Sequence, residues 1–353
     1  MDGDSAEKMT ARRVLVTGAS GFVGQPLCQA LASRGSLVRS ATRRIPATEG
    51  LEHPRLAEQV PIGNITSTTD WTAALRDVTT VVHLAARVHV MHDRAADPLA
   101  DFRAVNVEGT RALAEQAVRH GVRRLVFVSS IKVNGESTAV EGAEPSESVA
   151  RSAFRESDDA QPQDPYAVSK WEAEQALREI AARSNLEVVI VRPPLVYGPH
   201  VKGNLLRLMQ LIQRGVPLPF RGVRNQRSLI SVWNLVDALV QCVKQPQAAG
   251  QTYLVSDGRD LSTEQLVRGL AAGLNKDPLL FSIPAGAGRF AARLVGKSAV
   301  WDRLFGSLVV DSSKIRRELN WQPPIAPEDG LLQTGQAFLA DAQPKPTVPR
   351  FLG

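Results

Sequence analysis

Cysteine is scarce in this sequence, and its histidines are not clustered. The 353 residues include 2 cysteines, Cys28 and Cys242, which lie far apart and outside any CxxC pattern. We therefore expect buried thiols rather than a disulfide or a structural zinc site. Among the 6 histidines, the closest pair, His89 and His92, lacks the acidic partner and the spacing of a metalloprotease helix. The sequence thus predicts no metal centre.

Long apolar runs are also missing. No segment approaches the roughly 18 consecutive apolar residues that span a bilayer. The opening stretch, MDGDSAEKMT, is polar and lacks the apolar core of a secretory signal. We expect a cytoplasmic protein without membrane insertion.

Aromatic residues make up only 5% of the chain, although its formal net charge is +6 and its pI is about 9.6. The arginine pairs are spread along the chain without interleaved aromatic residues, a distribution that argues against a nucleic-acid partner. Most of these arginines are expected on solvated surface, and an anionic small molecule would benefit from the same charge.

Short β-branched runs alternate with helix-length segments from residue 12 to about residue 192, which is typical of a parallel sheet with crossover helices. Each predicted strand is continuous rather than alternating in pattern, as buried parallel strands are. The predicted strands are Val14–Thr17, Leu37–Ala41, Leu56–Ile62, Val81–Ala85, Leu125–Ser129 and Val188–Val191. The fold class is therefore α/β.

The first predicted strand runs into a GxxGxxG pattern that opens a helix. Glycine lets the backbone approach a pyrophosphate closely, and the N–H groups at a helix N-terminus attract negative charge. This strand, glycine turn and helix together predict a dinucleotide site. The residues of that site are Gly18, Gly21, Phe22, Val23 and Gly24.

The glycine turn identifies the sheet as a Rossmann-type doubly wound parallel sheet. We expect residues 12–192 and 232–256 to form this dinucleotide-binding domain. Prolines punctuate the chain after Arg192, so residues 193–231 and 257–340 are predicted to form a smaller C-terminal substrate-binding domain. Residues 1–11 and 341–353 are expected to be loose termini.

An acidic residue is missing at the end of the second strand, where NAD-preferring folds carry one about 20 residues past the glycines. The chain has Arg43 and Arg44 there. Because guanidinium groups bind phosphate and no carboxylate would repel a 2′-phosphate, NADP(H) is favoured, while NAD(H) stays possible. The alternative is that the pair is only a basic turn.

Tyr166 and Lys170 are one helical turn apart and so lie on one helix face. A nearby ammonium stabilises a phenolate and brings the phenol toward the working pKa of a general acid or base. Ser129 and Ser130 end the fifth predicted strand, at the edge where open α/β sheets bind ligands. Since a hydroxyl there can donate to a carbonyl or alkoxide oxygen, the predicted catalytic residues are Ser130, Tyr166 and Lys170.

With these motifs the chain resembles an extended short-chain dehydrogenase/reductase of the NAD-dependent epimerase/dehydratase family, which acts on nucleotide sugars. The resemblance extends from Val14 to about Trp321 and includes the motifs GNI at 63–65, HLAA at 83–86, NVEGT at 106–110 and RPPLVYGP at 192–199. It implies further cofactor contacts by Asn64, Ile65, Leu84, Ala85, Ala86, Ser129, Tyr166, Lys170 and Pro193.

The resemblance also implies a UDP-sugar substrate and a homodimer formed through helices near residues 100–120 and 166–184. It implies that Asn204 and Arg227 hold the substrate diphosphate while Ser130 contacts the sugar, although a surface arginine would look the same in sequence. Asn134 departs from the family pattern, because many epimerases carry tyrosine there. The segment Glu136–Ala160 is longer than usual and is either a mobile flap over the substrate or a surface insertion.

Three functions fit such a site. The basic pair after the second strand and the stretches SSIKVNGE, RSLISVWNLVDA and TYLVSDGRDLST favour an NADP(H)-dependent reductase. It would reduce the C4 keto group of a UDP-4-keto-6-deoxy-N-acetylhexosamine to UDP-N-acetylquinovosamine or UDP-N-acetylfucosamine for bacterial surface polysaccharide. The alternative is a UDP-glucose 4-epimerase-type isomerase with tightly bound NAD. A non-catalytic dinucleotide-binding redox sensor is less favoured, because such relatives lose the Tyr/Lys pair.

Overall fold

The main sheet has seven parallel strands in the order β3-β2-β1-β4-β5-β6-β9. The computed structural model describes residues 13–44, 58–88, 97–138, 153–283, 301 and 304–342. The strands of this sheet are β1 (Arg13–Thr17), β2 (Leu37–Thr42), β3 (Glu58–Pro61), β4 (Thr80–His83), β5 (Arg124–Val128), β6 (Glu187–Arg192) and β9 (Thr252–Leu254). The Rossmann-type doubly wound α/β fold is thus confirmed.

The order of the strands reverses between β1 and β4, so the chain leaves these two neighbours toward opposite sides of the sheet. Thr17, the last residue of β1, pairs with His83, the last residue of β4. In open α/β sheets the crevice outside the carboxyl ends of such strands is where ligands bind. The fold therefore places a ligand crevice next to Thr17 and His83.

Helices cover both faces of the sheet. They are α1 (Gly24–Ser33), α2 (Thr72–Leu75), α3 (Pro98–Arg103), α4 (Gly109–Arg119), α5 (Pro165–Ala182) and α7 (Val232–Lys244). Alternate residues of β1 enter different cores: Val14 and Val16 pack with Leu27 of α1, whereas Leu15 packs with Leu113 of α4. This alternation follows from the period of two along a strand, and it makes both faces of β1 apolar.

The rest of the chain builds a second core beside the sheet. Its elements are β7 (Leu195–Tyr197), β8 (Leu229–Ser231), α6 (Gly203–Gln213), α8 (Thr263–Gly273) and α10 (Pro327–Ala342), and α9 (Ser313–Glu318) lies against the main sheet. Trp301 stacks on Phe305 with ring centroids 3.8 Å apart. Helices α8 and α10 approach so closely that a Cβ on Gly273 would lie 2.2 Å from the Leu332 carbonyl oxygen.

Several element bounds differ from the sequence-based predictions. Strand β4 ends at His83 instead of Ala85, because the Thr17 hydroxyl accepts hydrogen bonds from the amides of Leu84 and Ala85 and draws them out of the sheet ladder. Strand β5 ends at Val128, so Ser129 follows the strand. A π-helical turn over Ala104–Glu108 precedes α4.

Some predictions fall outside the described residues. These are the first two residues of the strand predicted over Leu56–Ile62, the pair His89 and His92, residues 139–152 of the segment Glu136–Ala160, the terminus 1–11, and residues 343–353 of the terminus predicted over 341–353. The first two residues of that second terminus, 341 and 342, instead end α10. Cys28 and Cys242 are both free and buried, as predicted. Within the described parts of the chain, no helix has both the length and the apolar character needed to cross a membrane.

Candidate active site

The glycine turn follows β1 and opens α1. Gly18 has a φ of +66°, and its carbonyl oxygen accepts a hydrogen bond of 2.9 Å from the Gly21 amide. A Cβ on Gly24 would lie 2.1 Å from that same oxygen, so the turn requires glycine there. No side chain caps α1, whose N-cap residue is Val23. The close backbone approach and the uncapped helix start fit the pyrophosphate of a dinucleotide.

The end of β2 carries the two arginines of the predicted phosphate site. Arg43 and Arg44 are exposed directly after the buried Thr42, whose hydroxyl donates a 2.8 Å hydrogen bond to the Arg44 carbonyl. This bond fixes the backbone of the pair while both guanidinium groups stay accessible to solvent. The position is therefore basic and has room for an added phosphate.

His83 connects β1, β4 and α4 beside the ligand crevice. The motif HLAA at 83–86, which contains this histidine, did not predict that role. Its Nδ1 lies 2.7 Å from the Thr17 hydroxyl, and its Nε2 lies 3.0 Å from the Thr110 hydroxyl. Burial and the charge of Lys170 lower the pKa of His83 to about 3, so the imidazole is neutral. Because Thr17 also holds Leu84 and Ala85, this chain of side chains fixes the predicted cofactor-lining turn 84–86.

Asn106, in the π-helical turn, connects this lining to α5, the helix that carries Tyr166 and Lys170. Its side-chain oxygen accepts from the Arg87 amide at 2.8 Å, and its nitrogen donates to the Arg87 carbonyl and to the Ser169 hydroxyl, each at 3.0 Å. Interruptions of this kind in α-helices frequently occur at functional sites. Close by, a Cβ on Gly109 would lie 2.4 Å from Ile65, while Asn64 is exposed.

Ser130 begins the 3₁₀ turn over Ile131–Val133 that follows β5. The Lys132 amide donates to the Ser130 hydroxyl oxygen at 3.3 Å. The Ile131 amide, between these two residues, donates to the Pro193 carbonyl at 3.0 Å. The Lys132 ammonium forms ion pairs with Glu136, at 2.8 Å, and with Asp164. Asp164 caps α5 by accepting from the Ala167 amide, so the turn of Ser130 is joined to the start of the helix that carries Tyr166.

Lys170 lies beneath the end of β5. Its ammonium donates a 2.8 Å hydrogen bond to the Val128 carbonyl and stands 4.4 Å from the centroid of the Phe127 ring. Burial lowers the pKa of Lys170 to about 7, and the negative charge of Glu174 opposes that shift. The ammonium is thus held next to the two serines that follow the strand.

Tyr166 lies one turn before Lys170 and is half-buried against Phe102, with ring centroids 6.0 Å apart. Burial, and secondly the charge of Asp164, raise the pKa of Tyr166 above its ordinary value. Among the described residues, no hydrogen bond joins the side chains of Ser130, Tyr166 and Lys170 to one another. The fold nevertheless brings all three to the carboxyl end of β5, through the bond to Val128 and the Lys132–Asp164 pair.

Ser129, one of the predicted cofactor contacts, directs its side chain toward α5. Its hydroxyl donates a 2.5 Å hydrogen bond to Glu174, which is fully buried, and its amide donates to the Val191 carbonyl. The side chain therefore faces a buried polar cluster. Only its carbonyl group is left for a ligand.

The predicted diphosphate residues lie in the second core. Asn204 is exposed in the first turn of α6. Arg227 is half-buried, donates to the Gly306 carbonyl at 3.0 Å, and has its pKa lowered by burial. The structure does not bring either side chain into hydrogen-bond contact with Ser130, Tyr166 or Lys170.

Sequence reasoning also missed Glu174 and Arg192, which form a buried ion pair beside Ser129. One signal in the sequence could have predicted Glu174. It follows Lys170 by four residues and so lies on the helix face that packs on the sheet. Asn134, noted only as a departure from the family, accepts a hydrogen bond from Arg192 at 2.9 Å.

Comparison with known proteins places this site in a family. The model of the NAD dependent epimerase/dehydratase family matches residues 14–256. The chain is 43% identical to a UDP-glucose 4-epimerase of Vibrio cholerae over 338 residues, which cover 95% of this chain and 98% of that protein. It is 28% identical over 268 residues to the N-acetyl-alpha-D-glucosaminyl-diphospho-ditrans,octacis-undecaprenol 4-epimerase of Escherichia coli O157:H7, covering 74% of this chain and 72% of that protein.

Solved structures share the fold. MoeE5 in complex with UDP-glucuronic acid and NAD superposes with a TM-score of 0.72 at 24% identity, covering 94% of this chain and all of that one (100%). A UDP-glucose 4-epimerase of Thermotoga maritima with UDP-glucose gives a TM-score of 0.70 at 21% identity, with 94% and 100% covered. The chain therefore belongs to the NAD dependent epimerase/dehydratase family, and it is an NAD(P)-dependent enzyme of the short-chain dehydrogenase/reductase type, as its motifs predict.

Proposed function

We propose that this protein is a 4-epimerase of a UDP-hexose that works with a tightly bound nicotinamide dinucleotide. The observation that carries the proposal is the convergence of Ser130, Tyr166 and Lys170 at the carboxyl end of β5, on the same edge of the sheet as the glycine turn after β1. The 43% identity to a UDP-glucose 4-epimerase along almost the whole chain supports epimerisation over other reactions of the family. This choice reverses the preference that the sequence motifs gave to a reductase.

The side chains have separate tasks in this reaction. A nicotinamide dinucleotide held by the glycine turn over Gly18–Gly24 would supply the redox chemistry, which is hydride exchange with C4 of the sugar. Tyr166, as phenolate, removes the proton of the C4 hydroxyl and later returns a proton to the C4 oxygen. Ser130 donates a hydrogen bond to that oxygen while charge develops on it. The Lys170 ammonium stabilises the phenolate, since an adjacent positive charge lowers the pKa of a phenol.

Conversion of UDP-glucose without added cofactor tests this proposal. Protein as purified is expected to release a dinucleotide on denaturation and to form UDP-galactose, measured by chromatography of the two UDP-sugars. Protein saturated with NAD serves as the control for loss of cofactor during purification. Absence of UDP-galactose in both samples, over hours at high protein concentration, would overturn the epimerase assignment.

The basic pair after β2 supports a second candidate. Arg43 and Arg44 are exposed where a 2′-phosphate would lie, and an enzyme that exchanges NADPH for NADP on every turnover would use them. The candidate is the NADPH-dependent reductase of UDP-4-keto-6-deoxy-N-acetylhexosamines. Mixing the protein with UDP-4-keto-6-deoxy-GlcNAc and NADPH would consume reduced nicotinamide if this candidate is right, and unchanged absorbance would exclude it.

The arginine pair also has a direct test of cofactor choice. Replacing both arginines by alanine is expected to weaken NADP(H) binding by about tenfold or more, since each charge-assisted bond to a phosphate contributes about 1.5–3 kcal/mol. NAD(H) binding should change little, because NAD lacks the 2′-phosphate. Equal losses for both dinucleotides would mean that the pair is only a basic turn.

We also propose a homodimer through α4 and α5. Three ion pairs join α3 and α4 to α5 and its C-cap residue and support one rigid face: Arg103–Glu172, Arg111–Glu179 and Arg183–Glu115. Light scattering coupled to size exclusion should give twice the chain mass of 38.2 kDa. A monomer mass at micromolar concentration would contradict the dimer without affecting the epimerase proposal.

A further inference from the structure

A buried ion pair lies directly behind the candidate active site. Glu174 is fully buried on α5, one turn after Lys170 and on the same helix face. Both of its oxygens are occupied by Arg192, with Nε at 2.9 Å and Nη2 at 2.5 Å, and one also accepts from the Ser129 hydroxyl at 2.5 Å. Its contact with the exposed Arg178 is longer, at 3.6 Å. This bidentate geometry defines both side chains closely.

Arg192 extends the cluster to the turn that carries Ser130. Its Nη1 donates to the Asn134 side-chain oxygen at 2.9 Å, and Asn134 in turn donates to the Arg155 carbonyl at 2.9 Å. Asn134 ends the 3₁₀ turn that Ser130 begins. The cluster thus joins α5, the ends of β5 and β6, and the turn after Ser130. A shift of Glu174 would move elements that carry all three predicted catalytic side chains.

We propose that Glu174, held by Arg192, is a positioning residue that fixes the Ser129–Ser130 turn and sets the electrostatic surroundings of the Lys170 ammonium, one turn earlier on α5. The inference rests on the proposed hydride-transfer function, because it assigns a purpose to Lys170. It names residues outside the Ser/Tyr/Lys constellation, none of which touches the substrate in this proposal.

The charges around Lys170 support this role. His83 of β4 faces it but is neutral, Tyr166 lies on the same helix, and Phe127 of β5 presents its ring. Glu174 supplies a negative charge one turn along α5, and Arg192 of β6 lies behind Glu174. Burial alone would deprotonate a lysine near neutral pH, and the carboxylate opposes that shift. Arg192 satisfies both oxygens of this buried carboxylate with hydrogen bonds and an opposite charge.

A role in fold stability does not explain the pair equally well. Replacement of buried ion pairs by apolar residues is often neutral or stabilising, so their presence is weak support for a stabilising purpose. The chain offers a second Arg–Glu pair between the same strands for comparison: Arg124 donates through Nε and Nη2, at 2.7 Å and 2.6 Å, to one oxygen of Glu187 at the opposite ends of β5 and β6, where the Glu187 side chain is 31% exposed. That pair lies away from Lys170 and Ser130.

The pH profile of kcat/KM distinguishes positioning from stability. Glu174→Gln keeps the shape but removes the charge, so Lys170 should lose its proton at lower pH. We expect the alkaline limb to move to lower pH by about one unit or more. Glu187→Gln, the matched control, should leave the limb in place. A double variant, Glu174→Gln with Arg192→Met, removes both charges and should move the limb back toward that of the unmodified protein.

The double variant also guards against misfolding, because it leaves no buried guanidinium without a carboxylate. A merely structural role would lower kcat/KM by the same factor at every pH in single and double variants, and that result would overturn the proposal.

The affinity for the dinucleotide provides a second readout that needs no sugar. It is measured at each pH from the quenching of the fluorescence of Trp171 and the other tryptophans. If the unmodified protein binds dinucleotide but converts no sugar, the proposed function fails. If the pH dependence of dinucleotide affinity shifts in Glu174→Gln but not in the double variant or in Glu187→Gln, the positioning role is still supported. If it does not shift in Glu174→Gln, the positioning role is refuted.

Discussion

The phenol of Tyr166 has a pKa raised by burial and by Asp164, which is the opposite of what a general base needs. The proposed work of Tyr166 as a base therefore depends on positive charge near the phenol, which Lys170 and an oxidised nicotinamide ring would provide. Removing the hydroxyl isolates this contribution. Tyr166→Phe should retain dinucleotide binding and lower kcat by roughly 10²–10⁴-fold, the usual share of general acid–base catalysis.

The control for this variant is Tyr253→Phe. The Tyr253 hydroxyl donates to Glu318 at 2.9 Å, far from the glycine turn along the sheet. That variant should lose some stability and keep its turnover. Rapid turnover by Tyr166→Phe would remove the phenol from the mechanism.

His83 makes a prediction about stability in acid. Its pKa is about 3 in the folded chain and 6.5 when unperturbed, so the unfolded chain binds a proton first as the pH falls. The stabilisation is complete above pH 6.5 and is lost as the pH falls from 6.5 toward 3. The contribution of His83 to the free energy of unfolding should therefore decrease by about 1.4 kcal/mol for each pH unit in that range.

His83→Gln tests this sign. The variant should be less stable at neutral pH, because the contacts to Thr17 and Thr110 are disturbed. The difference between the two proteins in urea unfolding should narrow between pH 6 and pH 4. A gap that widens in acid would show that the imidazole is charged in the folded protein.

At the scale of elements, the Lys132–Asp164 ion pair joins the 3₁₀ turn after β5 to the start of α5. Asp164 raises the pKa of Tyr166, and Lys132 forms an ion pair with that carboxylate. Lys132→Met leaves the carboxylate uncompensated, so the Tyr166 pKa should rise. The acid limb of kcat/KM, which reports formation of the phenolate, should move to higher pH.

Lys132→Arg keeps the positive charge and is the matched control. The acid limb of its kcat/KM profile should lie at the same pH as in the unmodified protein, even if kcat falls. If the methionine variant changes only kcat and not the position of the limb, the pair acts through geometry alone.

At the scale of the whole molecule, Asp257 joins the main sheet region to the second core. Its carboxylate accepts from the Tyr197 hydroxyl at 2.7 Å, the Ser231 amide at 2.9 Å and the Asn234 side chain at 2.6 Å. Asp257→Ala would remove the acceptor of the Ser231 amide and of one Asn234 N–H, and would leave the Tyr197 hydroxyl only its 3.3 Å contact with the Pro327 carbonyl. Since each unsatisfied donor costs about 1–3 kcal/mol, we expect a loss of about 3 kcal/mol or more in the free energy of unfolding.

Asp341→Ala is the comparison, because Asp341 pairs with His200 on the surface, where both side chains are more than half exposed. Exposed pairs contribute less than about 1 kcal/mol, so urea unfolding should hardly change. Equal losses in the two variants would mean that Asp257 does not join the two cores.

Much of this molecule could be predicted from local sequence alone. The β-branched runs and the glycine turn specify the parallel sheet and the dinucleotide crevice, because strand burial and helix starts depend on near neighbours in the chain. The spacing of Tyr166 and Lys170 places them on one helix face for the same reason. Ser130 was identifiable because it follows a strand whose end could be recognised.

The tertiary structure decided what surrounds those residues. His83 meets Thr17 and Thr110 across 66 and 27 positions, and Arg192 meets Asn134 across 58. No local pattern encodes such pairs, since each depends on which strands become neighbours and on where burial leaves a polar group in need of a partner. The sequence thus determined which chemistry the chain carries, and the packing of distant segments determined the charge and position of the groups that perform it.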